Sequence, residues 1–331
     1  MDLDAFTAAH SGEWERLAWL ARKRTLDGRE ADELIELFQT GSAQLSAMTS
    51  AAGPSVPAER LSIALARARL RFTGAADNPM QAIPRFFVLQ LPAALYRLRW
   101  VTVAVAFATI LIAVLFAWWV DASPAVLATL GQSADLKKLV DHDFVDYYSE
   151  NPAASFTGQV WTNNAWIAAQ CIAFGITGAY VPYVVLQNAV NLGVDAAAMF
   201  AYGRGDVFFS YVLPHGLLEL TSIFVAAAAG LRIFWAWVAP GPRTRGRALA
   251  EEGRALFTVA VGLTLSLLVS GIIEGFVTPS PLPVWAKIAI GAVALAAFLF
   301  YMLVIGRRAH LAGETGDLQA ADRGATQLVA G

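Results

Sequence analysis

Apolar positions fall into two regimes along the chain. Up to about residue 99 they recur at helical spacing between charges: Phe6, Trp14, Leu17 and Leu20, then Leu34, Leu37, Phe38 and Leu45. Such spacing collects them on one face of a helix. The stretch GPSVP breaks the pattern, as Pro and Gly do, and PAERLSIALARARLRF resumes it with Arg67, Arg69 and Arg71 along it. Residues 1–77 are therefore expected to form a cytosolic bundle of three helices. Residues 78–99 are apolar and aromatic but interrupted by Pro84 and Pro92, and they end in Arg97 and Arg99 beside Trp100. They are expected to form an elbow helix lying in the membrane interface. A fourth helix of the soluble bundle is the alternative.

From residue 100 the apolar runs lengthen. A crossing needs about 20 predominantly apolar residues. The stretches that qualify are 101–120, about 160–179, 183–202, 215–238, 256–276 and 284–306. The expected fold is all-α: a polytopic membrane helix bundle of about six spans over residues 100–306, with a polar outer loop at 121–159 and a disordered cytosolic tail at 307–331. Arg97 and Arg99 precede the first span, Arg243, Arg245, Arg247 and Arg254 lie between the fourth and fifth, and Arg307 and Arg308 follow the sixth. Lys- and Arg-rich ends stay inside. An even number of crossings then puts all three clusters, and both termini, in the cytoplasm.

Composition agrees with the runs. The 331 residues are 57% hydrophobic and 15% charged, against about a quarter charged in soluble domains. The formal net charge of −2 carries no basic surplus for nucleic acid. The single cysteine, Cys171, excludes an internal disulfide and a cysteine metal cluster; a small buried hydrophobe is its expected role. Acids at the front and no apolar core before a cleavage site argue against a signal peptide. Arginine outnumbers lysine and alanine is abundant, the usage of a GC-rich bacterial genome. The expected location is the bacterial plasma membrane, multi-pass.

Candidate chemistry sits inside the apolar runs. His215 and Glu219, four residues apart, share a helix face. Ionisable groups in hydrocarbon face a bundle interior or a wet cavity. Pro214 suits a helix start, and Gly216 leaves room for a neighbouring backbone. A rise of about 1.5 Å per residue brings Glu274 of span five, and Asn163 and Asn164 of span two, to a depth near that of Glu219. Span three adds Asn188, Asn191 and Asp195 along one face. His10, His142 and His310 fall outside the spans, so His215 has no second histidine there. Three roles are open: hydrogen bonding between spans, ranked first; conduction or substrate contact; and metal binding by His215, Glu219 and Glu274, ranked last. There is no Walker loop and no G-x-S-x-G. No catalytic residue is assigned and no cofactor is expected.

The stretches LPHGLLELTSIFVAAAAGLRI and GIIEGFVTPSPLP, with TNNAWIAAQCIAFGITGAY, VVLQNAVNLG and PGPRTRGRAL, resemble the stage II sporulation protein M family of integral membrane proteins. The resemblance covers spans two to six. It implies a membrane scaffold, which in endospore formers serves peptidoglycan-degrading partners during engulfment. The family pattern falls on Pro214, His215, Gly216, Glu219, Glu274, Gly275 and Pro279, and it assigns none of them a catalytic role. The resulting expectation is a non-enzymatic scaffold or subunit of a cell-envelope complex. Its expected partners are the lipid bilayer, membrane or envelope proteins and a second copy of the chain, with no nucleic acid. A transporter-like protein or intramembrane metal-dependent enzyme using His215, Glu219 and Glu274 is the alternative.

Overall fold

The periodic apolar residues of the first segment close on one another as helices α1 (Leu3–Arg22), α2 (Gly28–Ala52) and α3 (Val56–Phe72). The computed structural model describes residues 3–23, 25–52, 55–72, 83–130, 133–148 and 151–317. All regular structure among them is helical, and they divide into two compact units that part between residues 83 and 84. In the first unit, Leu17, Leu20, Leu34, Met48, Leu61 and Ala68 form the core. A capping box starts α2: Asp27 accepts from the Glu30 amide at 2.8 Å while Glu30 accepts from the Asp27 amide at 3.0 Å. Arg16 clamps Glu33 through two bonds of 2.9 and 2.7 Å and holds that carboxyl below its usual range. Both side chains are solvated, so the clamp orients α1 on α2 and adds little stability.

The second unit contains the apolar helices. In chain order they are α4 (Leu91–Asp121), the short α5 (Pro124–Leu130), α6 (Ser133–Lys138) and α7 (Phe144–Asp146), then α8 (Ala153–Ala173), α9 (Tyr180–Ala201), α10 (Gly205–Val238), α11 (Arg245–Ile272), α12 (Val284–Phe300) and α13 (Gly306–Leu311). Five helical runs are long and apolar enough to cross a membrane: Ile83–Asp121, Tyr180–Ala201, Gly205–Val238, Arg245–Val277 and Val284–Leu311. The expected second span is not among them. Its helix, α8, stops at Ala173 rather than near 179 and carries Thr157, Gln159, Asn163, Asn164 and Gln170.

Packing nevertheless carries α8 the length of the bundle. At one end Thr157 donates to the Gly271 carbonyl at 3.2 Å, and Trp161 Nε1 donates to the Thr264 carbonyl at 3.0 Å. At the other, the Cys171 carbonyl lies against Gly230. Helices α10 and α11 run antiparallel between the same two ends, with Arg232 on Glu252 at 2.9 Å, Ser222 on Ser266 at 2.8 Å, and Ser270 on the His215 carbonyl at 3.1 Å. Helix α4 runs from Arg97, which meets Glu252, to Ala117, which packs beside Met199 and Phe208. Among the described residues, then, six helices traverse the bundle from an arginine end to a histidine end or back.

Several boundaries differ from expectation. Of the expected elbow at 78–99, residues 78–82 lie outside the described residues, and residues 84–99 do not form a separate helix. They run through a π-turn (Phe86–Gln90) into α4 without a break, and Leu91, Pro92, Ala93 and Leu95 are buried. Their apolar side chains meet later helices, with Leu91 and Leu95 in one core with Val259, Leu263 and Met302. The 39-residue helix is about 58 Å long, roughly twice the hydrocarbon thickness. Helix α10 begins ten residues before His215, so Pro214 lies inside it rather than at its start. Asp206 in the first turn suits the positive helix end, and the interval between the expected spans 183–202 and 215–238 shrinks to a turn at Gly203, whose φ is 71°. Likewise α11 starts at Arg245, capped by Thr244, whose hydroxyl accepts from the Arg247 amide at 3.3 Å.

The tail is not disordered where it is described. After α13 the chain docks on the arginine end: Arg97 donates to the Thr315 carbonyl at 2.6 Å and Thr258 to the Gly316 carbonyl at 2.9 Å. Asp317, 1% exposed, takes a bidentate grip from Arg254 at 2.5 and 2.9 Å. Residues 318–331, the rest of the expected tail, lie outside the described residues. Asp317→Asn is expected to cost about 1.5–3 kcal/mol, the range for hydrogen bonds to charged groups. Thermal unfolding in lipid nanodiscs checks this, together with faster proteolysis after residue 311. An unchanged melting temperature and cleavage rate would remove the tail as a latch.

Candidate functional site

The polar groups that matter meet at the histidine end. His215 and Glu219 point from α10 toward the end of α11, where the helix widens into a π-turn (Ile273–Val277) that holds Glu274. Such single-turn insertions rotate side chains off the regular helical face and are frequent at functional sites. One ligand atom from each of His215, Glu219 and Glu274 lies within 4.8 Å of the others. His215 is 6% exposed and Glu274 5%, whereas Glu219 is only half-buried.

A ring of neutral donors and acceptors supports them. Ser270 stands 3.1 Å from the His215 carbonyl and 3.3 Å from Glu219 Oε2. The Asn164 amide of α8 also hydrogen-bonds Glu219. Thr278 Oγ1 is 3.4 Å from His215 Nδ1. His215 Nε2 faces Glu274 Oε1 at 3.8 Å, too long for a hydrogen bond, and Glu274 Oε2 has no hydrogen-bond partner among the described residues. Lys287 of α12 spends its charge on the Thr278 carbonyl at 2.6 Å. Tyr148, from the loop before α8, closes the top with its ring 6.0 Å from His215 and 5.1 Å from Tyr211. Burial first, and the nearby Glu274 charge second, push the Tyr148 phenol well above its ordinary range, so it stays a neutral hydroxyl.

The sequence-predicted residues sort cleanly. His215, Glu219, Glu274 and Asn164 come together. Asn163, Asn191 and Asp195 are exposed, and Asn188 turns back to the Val184 carbonyl of its own helix at 2.9 Å. Gly216 does not admit a neighbouring backbone, because a Cβ there would meet only Val212 of the same helix, at 3.2 Å. Gly275 does: a Cβ would press on the Ala153 carbonyl at 2.8 Å. Pro214 packs by its carbonyl against Gly291 of α12, and Pro279 is exposed. The sequence alone does not single out Ser270, Thr278, Lys287 and Tyr148. "SGIIEGFVT" contains two of them, but nothing in helical periodicity shows which hydroxyl a neighbouring helix will meet.

Comparison with known proteins bears on the same region. The family model described as Stage II sporulation protein M matches residues 104–279, more than half of the chain, including His215, Glu219 and Glu274. A domain of unknown function, DUF8413, matches residues 4–74, the three-helix unit. No curated protein and no solved structure matches the chain. The membrane helices, the site they enclose and the match over 104–279 lead to one conclusion: the chain belongs to the stage II sporulation protein M family of membrane proteins.

Proposed function

We propose that this protein is a non-enzymatic scaffold or subunit of a cell-envelope complex in the bacterial plasma membrane, with its arginine end and both termini in the cytoplasm. The orientation rests on the Lys/Arg rule and on the docking of the tail beside Arg97. One observation carries the scaffold reading. Gln187, Asn191 and Asp195, spaced four apart, form an exposed stripe on α9, a helix apolar enough to cross a membrane. Asn191 lies about 16 Å from either end of that helix, and Asn163 is exposed at the middle of α8. Polar groups at that depth are expensive against lipid and are covered by protein or water. A partner helix, or a second copy of the chain, laid on α8 and α9 would cover them.

A photo-crosslinker placed at positions 163, 191 and 293 in cells tests this. Val293, exposed on apolar α12, is the control for lipid. The expected result is protein adducts at 163 and 191, lost in Asp195→Leu, with lipid adducts alone at 293. Lipid adducts alone at all three positions would defeat the reading. The partial exposure of Glu219 favours a second reading, transport or intramembrane catalysis. Under it, Glu219→Gln keeps every protein adduct and loses an activity.

A further inference from the structure

We propose that His215, Glu219 and Glu274 form a binding site for a divalent transition-metal ion of the zinc class, held between α10 and the π-turn that follows α11. The site is independent of the scaffold reading, which stands on partner contacts at α8 and α9.

The donor set comes first. One imidazole and two carboxylates are zinc ligands, and three protein ligands leave a position for water or substrate. Donors around a tetrahedral zinc, with bonds of about 2.0–2.2 Å, stand about 3.4 Å apart. The three here lie within 4.8 Å of one another, so side-chain movements of about 1 Å would close the shell. Calcium and magnesium take six or more oxygens and not imidazole, so the histidine selects against them.

The hydrogen bonds orient the histidine for this role. Thr278 Oγ1 lies 3.4 Å from the Ile273 carbonyl, to which it donates, and 3.4 Å from His215 Nδ1, from which it can then accept. That tautomer places the proton on Nδ1 and the lone pair on Nε2. The lone pair faces Glu274 Oε1 at 3.8 Å. Neither atom donates to the other, and a cation between them serves both. Metal-bound histidines commonly fix their second nitrogen through such a partner.

Charge supplies an independent reason. Glu274 Oε2 is buried without a hydrogen-bond partner among the described residues, on a side chain 5% exposed and aimed at His215. Lys287 is engaged by the Thr278 carbonyl. Buried carboxylates are normally paired or bound to a metal, and a 2+ ion would balance Glu219 and Glu274 together. Asn164 and Ser270 already hold Glu219 in place from α8 and α11.

The test uses the full chain in lipid nanodiscs. Co2+ is titrated and followed by its visible absorption, then displaced with Zn2+, and the bound zinc is counted. The expected wild-type result is one Co2+ per chain, displaced by one Zn2+. Glu274→Gln and His215→Asn should weaken binding at least 100-fold. Thr278→Val should weaken it roughly 10–100-fold, as loss of a ligand-orienting partner does. Ser266→Ala, one helical turn from Ser270, should leave it unchanged. Absence of stoichiometric Co2+ and Zn2+ binding in the wild type would overturn the proposal, whatever the variants do. So would wild-type affinity in a folded Glu274→Gln.

Discussion

Gly230→Val is expected to prevent the membrane bundle from closing. Gly230 lies in α10 where the end of α8 crosses it. A Cβ there would fall inside the Cys171 carbonyl and 2.9 Å from Val181 Cγ2 of α9. Gly175 makes the reciprocal approach, since its own Cβ would stand 2.5 Å from Gly230 Cα. Three helices therefore meet at a point with no side chain between two backbones. Small residues give membrane helices this closeness, because association there depends on packing and not on hydrophobic burial. A flexible side chain could yield to a methyl group, but a helical carbonyl cannot. Overpacking a core costs about 1–3 kcal/mol where side chains can move, so a cost of about 3 kcal/mol or more is expected for the Cβ with its two methyls and the backbone shift. The measurement is monodisperse yield and melting temperature after purification. Gly253→Ala is the matched control, because a Cβ there meets nothing within 4 Å. A monodisperse Gly230→Val protein with the wild-type melting temperature would show that the helices can part here without loss.

Glu252→Gln is expected to destabilise the arginine end by about 3–5 kcal/mol, the range for breaking a buried ion pair by removing one partner. Glu252 is 5% exposed and accepts from Arg97 at 2.6 Å and from Arg232 at 2.9 and 3.3 Å, with Arg243 4.0 Å away. One carboxylate thus joins the start of α4, the end of α10 and the loop before α11. The amide of glutamine keeps the shape and one acceptor but leaves the guanidinium charges to repel one another. A fall of about 10 °C in melting temperature corresponds to that energy for a unit of this size. Arg247→Gln, which loses a pair with Glu251 in which the arginine is mostly solvated, is expected to change stability by less than about 1 kcal/mol. Similar melting temperatures for both variants would mean that the arginine end is held by apolar packing alone.

Legibility differed between the two halves of the site. The spacing of His215 and Glu219 implies one face, and that relation survives in the structure because it depends only on the helical repeat. Depth counting also brought Glu274 near them. It does not place Asn163, because depth says nothing about rotation: Asn163 and Asn164 are adjacent, yet one is exposed and the other is buried beside Glu219. The π-turn at Ile273–Val277 is the same kind of omission. Its extra residue per turn moves Glu274 relative to Ser270, and no apolar pattern announces it.

The sequence by itself determined what local physics controls. Long apolar runs specify membrane helices, arginines mark one end of them, and the amphipathic repeat of the first 72 residues specifies a separate three-helix unit. Only the tertiary structure decided which faces meet. It made a crossing of α8, whose polarity depresses its apolar signal, by supplying Gly271 and Thr264 carbonyls to its hydroxyl and indole. It turned a tail with no hydrophobic pattern into a docked segment, because Arg97, Arg254 and Thr258 offer donors that only the folded arginine end collects. Contacts between backbones, and charges shared across helices, belong to pairs of distant segments. Their energy appears only after the helices have packed.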